Sequence, residues 1–133
     1  MKKRHFLTGT ILGLLLTAAT PLSTFAVEQT DFDLETTKDL YDLCVVKADN
    51  PNYLPAHWAC KAFIKGAVQY HDGVSDKDHL ARLICYPEAT TIDDGQAAFA
   101  TWAAANQNNA EYMKELPVIG LVRALSAKYP CSK

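Results

Sequence analysis

Four cysteines, three downstream histidines and a run of aspartates are the residues of this 133-residue chain whose chemistry could matter beyond packing. Cys44, Cys60, Cys85 and Cys131 contain no Cys-x-x-Cys pair, and no histidine is spaced to complete a zinc site with them. Disulfides are therefore their expected use. Three pairings are open to four cysteines, and geometry ranks them. Cys44 lies near the end of one predicted helix and Cys60 near the start of the next, so in an antiparallel pair the two come level. Cys85 precedes one later helix and Cys131 follows another, and those ends meet if the helices run antiparallel. A bridge needs Cα atoms about 5.5 Å apart, which favours Cys44–Cys60 together with Cys85–Cys131.

The titratable groups offer less. His71-Asp72 and Asp78-His79 have the composition of acid–base pairs, but neighbours in sequence point apart, and solvated residues beside a polar loop are the simpler reading. Asp72, Asp76 and Asp78 lack the Asp-x-Asp-x-Asp-Gly order of a calcium loop, and a capped helix start accounts for the latter two. Gly-x-Ser-x-Gly, His-Glu-x-x-His and a glycine-rich phosphate loop are all missing. The chain thus reads as a non-enzyme with no cofactor and no metal. Trp102 sits on an apolar stripe and is expected in the core. Trp58 falls off its stripe, and with Tyr53 and His57 beside Asn50-Pro51-Asn52 it makes a recognition edge. These residues argue for a binding protein.

The elements that must hold them are helical. Val27 to Phe32 reads as a frayed start, and from Asp33, taken as the cap, helical spacing sets in with Thr36, Leu40, Leu43, Cys44 and Lys47 on one face. Asn50-Pro51-Asn52 closes that helix. Pro55 opens a second one with the stripe Ala59, Phe63, Gly66, Ala67 and Tyr70, whose small members would admit a close helix. Gly73 is expected to end it. Ser75-Asp76-Lys77-Asp78 then reads as a capping box for a short helix carrying Leu80, Leu83 and Ile84, stopped by Pro87. Thr91-Ile92-Asp93-Asp94 is a second box, leading into an Ala-rich helix with Phe99, Trp102 and Ala103 inward. Asn106 to Asn109 is a break, Glu111 to Glu115 a single turn, and Pro117 starts a last helix through Val118, Leu121, Val122 and Leu125. The fold class is all-α, a compact domain of four to five helices stapled by two disulfides.

The compartment follows from the N-terminus. Lys2, Lys3 and Arg4 precede the apolar run Phe6 to Ala19, and Thr24-Phe25-Ala26 presents small residues where a signal peptidase reads. Residues 1–26 are expected to leave as a secretory signal, and 27–133 to form one domain. That removal takes three of 13 basic residues and none of 15 acidic ones, so the net charge moves from −2 to −5. An acidic surface argues against nucleic acid or anionic lipid as partner and permits a basic protein. No later run is long enough to cross a bilayer. The product is expected in an oxidising compartment, as a soluble periplasmic or secreted protein, and the Lys-rich start with a short apolar run looks bacterial.

One composite pattern goes further. Leu40-x-x-Leu43-Cys44, Ala59-Cys60-x-x-Phe63-Ile64-x-Gly66-Ala67, Ile84-Cys85-x-Pro87, Leu116-Pro117 and Leu121-x-x-Ala124-Leu125-x-x-x-Tyr129-Pro130-Cys131 follow in order. This resembles the Rap/Tai family of periplasmic immunity proteins, which protect bacteria against peptidoglycan amidase effectors delivered by type VI secretion. The resemblance implies a small helical inhibitor, often a homodimer, that blocks the cleft of a cysteine amidase. For the loop that enters the cleft, Asp72 to Asp78 (Asp72, Gly73, Val74, Ser75, Asp76 and Asp78) is the first choice, being polar and free of stripe residues. Pro87 to Thr91 is the second, and His57 and Trp58 add a further contact. The alternative is a small periplasmic stress or acid chaperone that exposes apolar surface when its carboxylates protonate.

Overall fold

A computed structural model describes residues 27–77 and 80–132; residues 1–26, expected above to be an export signal, and Asp78, His79 and Lys133 lie outside these. A 3-10 turn, Gln29–Asp33, is followed by α1 (Thr37–Cys44), α2 (Tyr53–Lys77), α3 (Ile92–Ala105), α4 (Ala110–Lys114) and α5 (Pro117–Lys128). No strand occurs among the described residues. The all-α class stands.

The start of the domain is more ordered than its polar composition suggests. Val27 is buried in the core, and the Asp31 carboxylate accepts from the Glu28 N–H at 2.7 Å. Asp33 belongs to this 3-10 turn rather than capping α1. Leu34 then takes a left-handed backbone, φ 52°, and the cap passes to Thr36. Its side chain accepts from the Asp39 N–H at 3.2 Å, while Asp39 accepts from the Thr36 N–H at 2.8 Å. Leu40, Leu43 and Cys44 are buried, as their spacing predicts.

In α2 the structure departs from the sequence reading twice. The helix does not stop at Gly73; it runs 25 residues to Lys77, a rod of about 37 Å. Gly73 does not adopt the positive φ of a helix-ending glycine, and Ser75 is buried rather than capping. The expected short helix through Leu80, Leu83 and Ile84 is absent, and that segment is irregular. It is stretched between α2 and Cys85, whose N–H donates to the Tyr129 carbonyl at 2.9 Å, while Ile84 plugs the core.

The rotation of α2 also differs by one position. Ala56, Cys60 and Ile64 are fully buried, whereas Ala59, Phe63 and Ala67 only flank the core. Tyr70 is 74% exposed. A β-carbon on Gly66 would meet nothing within 4 Å, so within this chain the glycine admits no close helix. Cys60 decides the matter, since its bond to Cys44 fixes which side of α2 faces inward.

The remaining elements follow their caps. Thr91 and Asp94 exchange hydrogen bonds at the start of α3, Asn109 caps α4, and Pro117 opens α5. Phe99 and Ala103 are fully buried, and Trp102 packs against the core while stacking on Tyr112 at 5.8 Å. Gly120 is where α5 presses on α1. A β-carbon there would overlap the Thr37 methyl and hydroxyl and lie 2.9 Å from its Cβ. Both favoured disulfides are present, with Cα separations of 5.1 Å for Cys44–Cys60 and 4.9 Å for Cys85–Cys131. The first pins α1 to α2, and the second ties the segment after α2 to the end of the chain.

Candidate protein-binding surface

Because α2 is one continuous rod, residues assigned from sequence to two elements share a single outer line. Leu54, Trp58, Lys65, Asp72 and Asp76 recur at four- and seven-residue intervals, the spacing of one helix face. Trp58 and Asp76 are five turns, about 27 Å, apart along it. Leu54 and Trp58 are each 63% exposed. Trp58 is nonetheless held: His57 meets it edge-on at 5.6 Å, Tyr53 stacks on His57 at 5.4 Å, and the Lys61 ammonium sits 5.8 Å from the Trp58 ring. Lys61 is itself ion-paired with Asp93 of α3. A large apolar ring kept in place at the surface loses little freedom when a partner covers it.

The other end of the rod is built around Asp72. It accepts from Arg82 at 2.7 Å, from the Tyr86 hydroxyl, and from His71 Nδ1 at 3.1 Å. Partial burial pushes the Asp72 carboxyl upward, but the hydrogen bonds from Tyr86 and His71 and the charge of Arg82 outweigh it and hold it below the usual range. Burial, followed by the same bond to Asp72, pushes the Tyr86 hydroxyl up to about 12.

His71 and Asp72 therefore do meet, contrary to the rule that sequence neighbours point apart. They still do not form a catalytic pair. The Leu83 N–H donates to His71 Nε2 at 3.2 Å, so the ring nitrogen that a general base would use is already occupied. Hydrogen-bond geometry assigns the ring proton to Nδ1. The group braces the segment after α2. No group of three metal-ligating residues occurs among the described residues.

The residues expected to enter a partner's cleft divide accordingly. Asp72 to Ser75 and Asp76 are helical, not a loop, and Asp78 lies outside the described residues. Ser75 is buried and Asp72 is engaged internally, which leaves Asp76, met by Arg82 at 3.5 Å but with a side chain 67% exposed, as the more accessible of the two described carboxylates. Val74 faces a groove of about 210 Å³ shared with Tyr70, Leu83, Val118 and Val122. Pro87 to Thr91 is a turn closed by the Thr90 N–H to the Pro87 carbonyl at 2.9 Å, with Pro87, Glu88 and Ala89 exposed. His57 is half-buried beneath Trp58.

Sequence reasoning missed Leu54 and the groove. Leu54 precedes the proline taken as the helix start, and the groove joins residues from three separate segments.

A family model described as Rap1a immunity proteins matches residues 36–131. Comparison with curated proteins and with solved structures gives no match. The matched span begins at the cap of α1 and ends on the last cysteine, so it takes in both disulfides and all of α2. The chain belongs to the Rap1a immunity protein family, and its role is that of an immunity protein toward a toxin.

Proposed function

We propose that the protein is exported, loses residues 1–26, and acts in the periplasm as a stoichiometric inhibitor of a peptidoglycan amidase delivered by type VI secretion. The observation that carries this reading to particular residues is the outer line of α2, where Leu54 and Trp58 stand exposed on a disulfide-pinned helix. Such an aromatic anchor with an apolar neighbour is the composition of an interface hot spot. The exposed turn at Pro87 to Thr91 and Asp76 supply polar rim. Two copies pairing through the open face around Gly66 belong to the same proposal, and a native mass measurement tests that part.

The experiment is co-purification with a secreted cysteine amidase encoded beside this protein, together with an assay of peptidoglycan cleavage. The expected result is a stable complex and loss of cleavage at one equivalent. Trp58→Ala is expected to weaken the complex by about 30-fold, or about 2 kcal/mol. A protein that neither binds nor inhibits the amidase, yet suppresses aggregation of unfolded clients at low pH, would make it a chaperone instead.

A further inference from the structure

Away from the outer line of α2, a second region carries a feature that the fold does not need. A pocket of about 410 Å³ lies between α1 and α4, and its lining includes Lys38, Tyr41, Asp42, Gln107, Met113 and Lys114. Asp42 is only 7% exposed, yet its Oδ1 has no hydrogen-bond partner among the described residues. The other oxygen is met by Lys38, whose own side chain is 62% exposed. A buried acceptor without a donor destabilises the fold, and a donor from outside the chain would recover that loss. Burial accordingly pushes the Asp42 carboxyl upward in spite of Lys38.

The surroundings indicate what kind of donor fits. Asp42 is the one carboxylate of the lining, beside the lysines Lys38 and Lys114, and Asp31 and Asp39 lie near enough to act on it electrostatically, which adds to its demand for a cationic donor. Met113, itself buried, and Ala110 give an apolar wall. The Gln107 amide donates to the Tyr41 hydroxyl at 2.7 Å and fixes the opposite side. A guanidinium suits this arrangement better than an ammonium, because its planar fork engages both oxygens of one carboxylate while its stem lies on apolar surface. Lys38 reaches only one oxygen. The Lys38 ammonium is largely solvated and can return to water, provided that the incoming donor takes its place at the buried carboxylate. The chain's excess of 15 acidic over 13 basic residues selects a basic partner in the same sense.

We propose that this pocket receives an arginine side chain of the bound partner, with Asp42 as the carboxylate for its fork and Lys38 as the group displaced. The source of that arginine rests on the immunity reading, whereas the chemistry of the pocket can be tested with no toxin present.

The test is an amide NMR titration of the oxidised protein with Nα-acetyl-arginine methylamide. Saturable shifts are expected in the millimolar range, confined to Tyr41, Asp42, Gln107, Met113 and their neighbours. Asp42→Asn, which keeps the shape, should weaken binding about tenfold or more. Lys38→Ala should strengthen it by removing the competitor, an effect that a purely structural Lys38–Asp42 pair does not produce. The corresponding lysine derivative should bind more weakly. A titration without saturation, equal binding by Asp42→Asn, or weaker binding by Lys38→Ala overturns the proposal. Each of these outcomes leaves the inhibition experiment untouched.

Discussion

At the α1 end of the molecule the disulfide is buried, and the aspartate, buried too, has an open hydrogen-bond set. At the far end of α2 the disulfide is exposed and the aspartate is closed. Cys44 and Cys60 lie in the core, beside an Asp42 that has one solvated lysine and a bare oxygen. Cys85 is at the surface, close to an Asp72 that gathers His71, Arg82 and Tyr86. A closed polar network can take over part of the work of holding a segment, because every donor in it has an acceptor. An open one adds nothing to cohesion, and a fold tolerates it only where packing and a covalent link already hold the region. The difference separates a brace from a binding feature.

The largest test of this contrast is reduction. Exposed Cys85 should let a mild reductant open Cys85–Cys131 first, while Cys44–Cys60 persists. The bridge closes a separation of 46 residues, so Cys85→Ser with Cys131→Ser should cost about 4 kcal/mol on the chain-entropy model. Cys44–Cys60 spans 16 residues and is worth about 3 kcal/mol on that model before its packing is counted. Alkylation with mass spectrometry gives the order of opening, and urea denaturation gives the cost. Alkylation of Cys44 and Cys60 before Cys85 would break the comparison.

A smaller effect is expected from the braces themselves. Asp72→Ala leaves the Tyr86 hydroxyl and His71 Nδ1–H without their acceptor and leaves Arg82 to its longer contact with Asp76, a loss of about 2 kcal/mol. Amide exchange should rise at Leu83 and Cys85, whose N–H groups are bonded within this region. Exchange that rises instead around α1 would show that Asp72 is not a local brace.

How much of this was legible beforehand depended on the range of the interactions. The Thr91-to-Asp94 box, the start at Pro117 and the break before α4 are local devices, and each lies where its residues place it. The cysteine pairing was legible because a short turn brings helix ends level. The end of α2 was not. Gly73 and Ser75-Asp76-Lys77-Asp78 carry genuine stop and start signals, but burial of Ser75 and the contacts of His71 and Asp72 with residues after the helix outweigh them. The rotation of α2 was ambiguous because two apolar stripes run side by side, and only the covalent demand on Cys60 chooses between them. Of the candidate site, Trp58 was visible as an aromatic off its stripe. The pocket at Asp42 was hidden, since its opposite wall comes from Gln107, 66 residues from Tyr41. One signal existed: a carboxylate set among Leu40, Tyr41, Leu43 and Cys44 has nowhere dry to go without a partner.

The smallest effects lie in the acid limb of stability, where the two aspartates should act with opposite signs. Asp72 is held below the ordinary value of 3.8. Its stabilisation is present above that value and is lost as pH falls through the lower folded one. Asp42 is raised above 3.8, by burial first and with Asp31 and Asp39 adding to it against Lys38. Its protonated form is favoured on folding, so that contribution is complete below 3.8 and is lost as pH rises through the higher folded value. Asp72→Asn should therefore grow more harmful, relative to the natural protein, as pH rises from 2 toward its plateau above about 4. Asp42→Asn should grow less harmful, or turn stabilising, over a window beginning at about 4 and extending upward. Urea midpoints collected from pH 2 to 7 for the three proteins check this. Two variant curves tilting in the same direction would mean that both carboxylates are braced alike, and the asymmetry between the ends would then lie in the disulfides alone.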